Sequence, residues 1–205
     1  VANHTNWWDG LYAFLLSRKL GCTFHILMDA HELARYPAFR WAGVLPVRRG
    51  ELRGGYQDLL AALPCLRPGA GLWIFPQGAR RPAGERPTRF TRGAAHLALR
   101  HGSPVRIVPV AFRYGFVSEQ LPEAFARVGR PHVAEPAPGR DRRELTARIE
   151  THVEETLRVL DASLAEEAFA SFRTLVAGKL SVNKRMDRFR HAVGLLRGPF
   201  EARNG

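Results

Sequence analysis

The stretch GLWIFPQGARRPAGERPTRFTRGAAHLALRHGSPVRIVPVAF, residues 71–112, sets the expectation for the fold. Gly71–Phe75 reads as a buried strand, and the run Pro76–Arg89 as an arginine-rich loop leaving its end. A helix is expected from about Arg92 to His101. Val105–Phe112 follows as a near-continuous apolar strand, broken only by Arg106 and Pro109. Strand, helix, strand is the repeating unit of a parallel sheet. Toward the N-terminus the same alternation continues. Tyr56–Leu66 places Leu59, Leu60, Leu63 and Leu66 at helical spacing and ends at Pro68-Gly69. Gly43–Val47 and Thr23–Met28 read as short strands, with Asp29–Ala42 helical or irregular around Pro37. Trp8–Leu20 reads as a helix stopped by Gly21. No internal repeat is present, and the expectation is an α/β domain with a largely parallel sheet.

From Arg140 the pattern changes. Leu145, Ile149, Val153, Leu157, Leu160 and Leu164 step by three or four, one face of a long helix. Phe169, Phe172, Leu175 and Val176 give a second helical stripe ending at Gly178. Asn183–Arg197 combines Lys184, Arg185, Arg188, Arg190 and Arg197 with Met186, Phe189, Val193, Leu195 and Leu196, a basic amphipathic stretch suited to lie on an anionic membrane. Residues 1–139 are thus expected to form the core and 140–205 a set of C-terminal helices.

The chain has 205 residues, 45% of them apolar, enough for a full core. Lys and Arg number 31 against 19 acids, a net charge of +12, so its partners should be anionic. Cys22 and Cys65 have no metal-ligand spacing and read as buried free thiols. No apolar run approaches the ~20 residues that span a bilayer. The opening Val1-Ala2-Asn3-His4, without Met or signal peptide, reads as a truncated start, with room for an anchor or a first strand ahead of it.

Three constellations carry chemistry. In Asn3-His4-Thr5-Asn6-Trp7-Trp8-Asp9 a histidine precedes an aspartate by five positions. On a regular helix the two would point ~140° apart, so a turn must intervene, with Thr5 or Asn6 as N-cap and Asp9 in the first helical turn. A carboxylate on one imidazole nitrogen leaves the other free to take a proton from a hydroxyl. Taken alone, such a pair is more often a structural hydrogen bond, and no further ligands stand at metal-site spacing. In Phe75-Pro76-Gln77-Gly78-Ala79-Arg80-Arg81, a strand end meets a turn glycine and two arginines able to grip phosphate in a bidentate way. The bland reading is a solvated basic loop. Gly43-Val44-Leu45-Pro46-Val47-Arg48-Arg49 is a second strand closing on arginines, and an exposed turn explains it equally well.

Together these segments, with Val108-Pro109-Val110, resemble in order the four blocks of the glycerolipid acyltransferase family, which acylates glycerol phosphate and lysophosphatidic acid. Phe90-Thr91-Arg92-Gly93-Ala94-Ala95 is similar to a further family segment that precedes a helix. The resemblance implies an α/β fold with a mixed, mostly parallel sheet flanked by helices. It implies His4 as general base, Asp9 as its orienting partner, and Arg49 and Arg80 as grips for an acceptor phosphate. Gly78 matches the turn glycine and Pro109 the proline of the fourth block. It further implies an acyl thioester of coenzyme A or acyl carrier protein as co-substrate, no cofactor and no metal, and membrane lipids as partners. The expected place of work is the cytoplasmic face of the membrane, peripherally or through an anchor preceding Val1. Arg86, Arg89 and Arg92 would stand ready for the carrier's phosphates.

One departure bears on the substrate. Where the third block of the family reads Phe-Pro-Glu-Gly-Thr-Arg-Ser, this chain has Gln77, Ala79 and Arg81. Gln77 keeps the shape of the substrate-binding glutamate but trades its charge for an NH2 donor. That points away from glycerol phosphate and toward another hydroxyl, such as a glycosylated isoprenoid. A non-catalytic lipid-binding relative is the alternative, opposed by the presence of both His4 and Asp9. Nucleic acid is not an expected partner, because no binding motif accompanies the positive charge.

Overall fold

The computed structural model describes residues 1–86, 88–117, 120–136 and 141–178. A three-stranded parallel sheet stands in the order β2-β1-β3, formed by β1 (Thr23–Asp29), β2 (Val44–Val47) and β3 (Ala70–Trp73). Ile26 of β1 faces Val44 on one side, and His25 faces Leu72 on the other. Helices lie between the strands in sequence, as parallel connections require. α1 (Asp9–Lys19) precedes β1. α2 (Ala30–Arg35) and a 3-10 turn, Pro37–Ala42, lead to β2, and α3 (Leu52–Ala61) leads to β3. Ala13 and Leu16 of α1 share a core with Phe24, Ile26, Leu33, Val44 and Trp73. Gly43 joins the 3-10 turn to β2 at φ +89°, where a Cβ would sit 2.2 Å from the carbonyl oxygen of Phe24. Only glycine lets the chain approach β1 there.

Residues 1–3 extend this sheet. The Ala2 N–H donates to Ile74 O at 3.2 Å, the Val110 N–H donates to Val1 O at 2.8 Å, and Ala2 bridges Val110 in parallel. The Asn3 side chain then imitates one more rung. Its Oδ1 accepts from the Phe112 N–H at 2.8 Å and its Nδ2 donates to Phe112 O at 3.2 Å, both buried. A strip of backbone thus lies between the end of β3 and the next strand, and it delivers His4 just beyond the carboxyl end of β3. In open α/β sheets that edge is where ligands bind.

The remainder is antiparallel. After α4 (Gly93–Arg100), β4 (Val105–Ile107) pairs with β7 (His132–Ala134), and β5 (Val110–Gly115) pairs with β6 (Glu123–Val128). The single strand expected over 105–112 is therefore two. Pro109 has no N–H to give a ladder, and its carbonyl instead accepts from Gly129 at 2.8 Å, where the chain passes from β6 to β7. α5 (Arg142–Ala165) buries Leu145, Ile149, Val153, Leu157 and Leu160 of the expected stripe against β5, β6 and α4, while Leu164 is only partly buried. A forked pair from Arg113 to Asp161, at 2.6 and 2.9 Å, locks it to β5.

Several expectations are corrected. The helix read over 56–66 runs from Leu52 to Ala61, because Pro64 turns its end into a 3-10 turn over Leu63–Cys65. β3 buries only Trp73 and is otherwise half-buried. The second C-terminal stripe makes one 3-10 turn, Phe169–Ser171, and no α-helix. Its Phe169 and Phe172 rings pack on Phe125 at 6.4 and 5.5 Å, so the spacing of three serves a single turn against the core. Both cysteines are free thiols, half-buried rather than buried. The basic stretch Asn183–Arg197 lies outside the described residues. Among the described residues no helix is long and apolar enough to cross a membrane.

Candidate active site

Asp9 is the first residue of α1 and is fully buried. A buried carboxylate must be met by donors, and four converge on it. Oδ2 lies 2.7 Å from His4 Nδ1 and accepts from the backbone N–H groups of Thr5 at 2.8 Å and Asn6 at 3.0 Å. Oδ1 accepts from the Tyr114 hydroxyl. The turn between His4 and Asp9 therefore wraps around the carboxylate. The expected cap is reversed: neither Thr5 nor Asn6 caps α1 with its side chain. Asp9 instead satisfies the N–H groups before the helix, while Asn6 Oδ1 accepts from the Trp8 N–H at 3.2 Å.

His4 is held on every side but one. Its ring stacks on Phe75, with centroids 4.6 Å apart and planes 17° from parallel. Its N–H donates to Gln77 Oε1 at 2.6 Å, and its carbonyl accepts from the Arg81 N–H at 2.9 Å. The first and third blocks are thus one structure. Because Asp9 accepts at Nδ1, that nitrogen carries the ring proton, and Nε2 presents a lone pair. Nε2 makes no hydrogen bond among the described residues, and the side chain keeps about a quarter of its surface open. The arrangement can take a proton from a hydroxyl and hold the resulting imidazolium against a fixed negative charge.

Around this pair the four blocks divide their tasks. Gln77 is buried, and its carbonyl oxygen is engaged by His4, leaving its NH2 as the group it can offer outward. Gly78 closes the Phe75–Gly78 turn at φ +71°. A methyl group there would stand 3.9 Å from Arg49 Nη2, so Arg49 of the second block faces the turn of the third. Arg49 is half-exposed, and its charged partner among the described residues is Asp29 at 3.6 Å. Its neighbour Arg48 is instead consumed by Asp58, through two side-chain contacts of 2.9 Å. Arg80 is exposed and has no partner among the described residues. Pro109 is buried at the junction of β4 and β5, beside the strip that ends in His4. Arg86 is engaged by Asp161 at 3.2 Å, so it is not a free carrier grip, whereas Arg89 and Arg92 are exposed. No cluster of three His, Cys, Asp or Glu side chains suited to a metal forms among the described residues.

Tyr114 is the site residue that spacing did not reveal. It lies 105 positions from Asp9, beyond the last recognised block. The signal available was the period of two in β5, which puts Val110, Phe112 and Tyr114 on one face, all packed in the core that holds Ala13 and Leu16. Burial, then the hydrogen bond to Asp9 and its charge, raise the Tyr114 pKa well above the ordinary phenol value. The hydroxyl therefore stays a donor throughout the working pH range. Asn3 was read only as a neighbour of His4, and its part in extending the sheet emerges only with β5 in place.

A His-Asp pair thus stands at the carboxyl edge of the parallel sheet, with the exposed Arg49 and Arg80 in the segments that follow β2 and β3. The family model described as Acyltransferase matches residues 1–113, and the chain belongs to this acyltransferase family. It is also similar to a 1-acyl-sn-glycerol-3-phosphate acyltransferase of Pseudomonas aeruginosa, 31% identical over 120 residues. That match covers 56% of this chain and 44% of the relative, so the chain spans less than half of that protein's length. No solved structure matches the chain.

Proposed function

We propose that the chain transfers a fatty acyl group from a thioester of coenzyme A or acyl carrier protein to a hydroxyl of a lipid or glycerol-phosphate-like acceptor, at the cytoplasmic face of a membrane. His4 Nε2 takes the acceptor's proton as its oxygen attacks the thioester carbonyl. The carbon–sulfur bond then breaks, the ester is released, and the departing thiolate recovers the proton from the imidazolium. Asp9 keeps the ring proton on Nδ1 and stabilises the transient positive charge. Tyr114 and the N–H groups of Thr5 and Asn6 hold Asp9 in place. Arg49 and Arg80 meet an anionic group of the acceptor.

The observation that carries this reading is the 2.7 Å contact between His4 Nδ1 and a buried, four-fold satisfied Asp9, with Nε2 left free. The acceptor class rests on Gln77. With Oε1 spent on His4, this residue presents a donor where the family's glutamate would bring negative charge. That favours an acceptor other than glycerol 3-phosphate, although the name of the similar Pseudomonas protein favours lysophosphatidic acid. A panel of hydroxyl lipids offered with acyl-coenzyme A and acyl carrier protein, read by mass spectrometry, tests both. Ester formation on a glycolipid or isoprenoid alcohol supports the changed acceptor, and strong turnover of glycerol 3-phosphate or lysophosphatidic acid refutes it. Acyl carrier loading without ester formation on any hydroxyl would refute the transferase reading itself.

A further inference from the structure

The turn that joins His4 to Asp9 is built of aromatic residues that the chemistry does not use. Trp7 and Trp8 are 44% and 52% exposed, and Leu11, one helical turn on, is 38% exposed. Ring contacts carry the patch onward. Trp7 meets Trp8 at 5.3 Å and Tyr36 at 6.5 Å, and Tyr36 stacks on Phe39 at 5.6 Å. In the same 3-10 turn as Phe39, Trp41 is 95% exposed. A single exposed apolar side chain is ordinary, but contiguous exposed rings such as Trp7, Trp8 and Tyr36 mark an interaction surface. Arg35 and Arg40 flank the patch, and Arg40 has no partner among the described residues.

We propose that Trp7, Trp8, Tyr36 and Trp41 form a docking surface that seats the chain at the headgroup–acyl boundary of an anionic bilayer, with His4 beside it. Indole and phenol rings have an apolar body and a polar edge, which is the chemistry of that boundary. Arg40 and the chain's net charge of +12 complement anionic headgroups. A second copy of the chain would bring the same positive charge to the same place, which opposes self-association. The proposal rests on the acyltransferase reading for its purpose: a lipid hydroxyl would reach His4 without leaving the boundary.

The test uses the full chain and vesicles of phosphatidylglycerol mixed equally with phosphatidylcholine, without donor or acceptor. Three of the four tryptophans lie in the patch, while Trp73 is buried and donates to Ser17 Oγ at 2.7 Å. Bromine atoms on the lipid chains should therefore quench most of the tryptophan emission. Trp41→Ala and Trp8→Ala should each weaken partitioning by about tenfold, from the area each ring would bury. Val128→Ala removes an exposed apolar residue at the end of the β5–β6 ladder away from Tyr114, and should leave binding unchanged. Arg40→Glu should weaken binding to anionic vesicles more than to neutral ones. Unquenched emission, or wild-type partitioning of both tryptophan variants, overturns the proposal. So does a dimer of the free chain that either tryptophan variant dissociates, because the occupant is then a second copy. Because no substrate is present, inactivity of the enzyme leaves this result standing.

Discussion

Asp9→Asn separates charge from shape at the candidate site. Three N–H donors converge on the position of Oδ2, those of Thr5, Asn6 and the His4 ring. An NH2 group there would face all three, so the asparagine oxygen must occupy that position. Its NH2 then points to the Tyr114 hydroxyl, which can turn to accept it. Every contact survives, and the fold should lose little, on the order of 1 kcal/mol. The imidazolium formed during proton transfer, however, loses its negative partner. A hydrogen bond to a charged group contributes roughly 1.5–3 kcal/mol, which corresponds to about 10- to 150-fold in turnover. The ring keeps its tautomer, so the loss should stop short of the ~10⁴-fold seen when an asparagine amide forces the wrong one. The assay is thiol release from acyl-coenzyme A at saturating acceptor, beside a thermal melt of the same preparation. Turnover within twofold of wild type would refute the charge argument. A variant that fails to fold would refute the hydrogen-bond accounting.

The other expectations follow the same contacts. Tyr114→Phe leaves Asp9 Oδ1 without a donor; turnover should fall several-fold to about tenfold while the acyl donor's KM stays unchanged, since the hydroxyl acts through Asp9. Gln77→Glu keeps the acceptor oxygen for the His4 N–H and should raise activity on glycerol 3-phosphate, whereas Gln77→Ala frees that N–H and should lower activity on every acceptor; comparison of the two across the lipid panel checks this. His132 is held at a pKa of about 4, chiefly by burial and then by the charges of His152 and Arg148, against 6.5 when unfolded. The unfolded chain therefore binds more protons between these values, so stability is complete above pH 6.5 and declines as the pH falls toward 4. Denaturant melts at pH 7 and pH 5 should show a loss on the order of 1–2 kcal/mol that His132→Gln reduces.

Much of the parallel half of the fold was legible, because its strands are short, mostly apolar runs set off by Gly21, Gly43, Arg48 and Pro68-Gly69. The antiparallel half was not. Glu123–Val128 and His132–Ala134 are short and mix charged with apolar residues, and only their partners in β4 and β5 make them strands. Pro109 was visible as an interruption, but where the chain broke depended on the Gly129 N–H that reaches its carbonyl. At the site, the His4–Asp9 meeting could be read from the need for a turn within five residues. The donors that surround Asp9 could not, because Tyr114 is supplied by a strand more than a hundred residues away. The role of one arginine was equally hidden. The block resemblance singled out Arg49, but what Arg48 does emerged only with Asp58, which holds it to the scaffold.

The central claim is that the free nitrogen of His4 carries the proton in acyl transfer. It is tested by following a labelled acyl group from its thioester into lipid ester, with wild type and His4→Ala prepared in parallel and matched for melting temperature. The ring stacks on Phe75 without being buried through, and the backbone contacts to Gln77 and Arg81 do not involve it, so the variant should fold. The account predicts a fall of ~10²–10⁴-fold in ester formation, the range for a positioned acid-base group. Ester formation by a folded His4→Ala chain at a rate near that of wild type would contradict it.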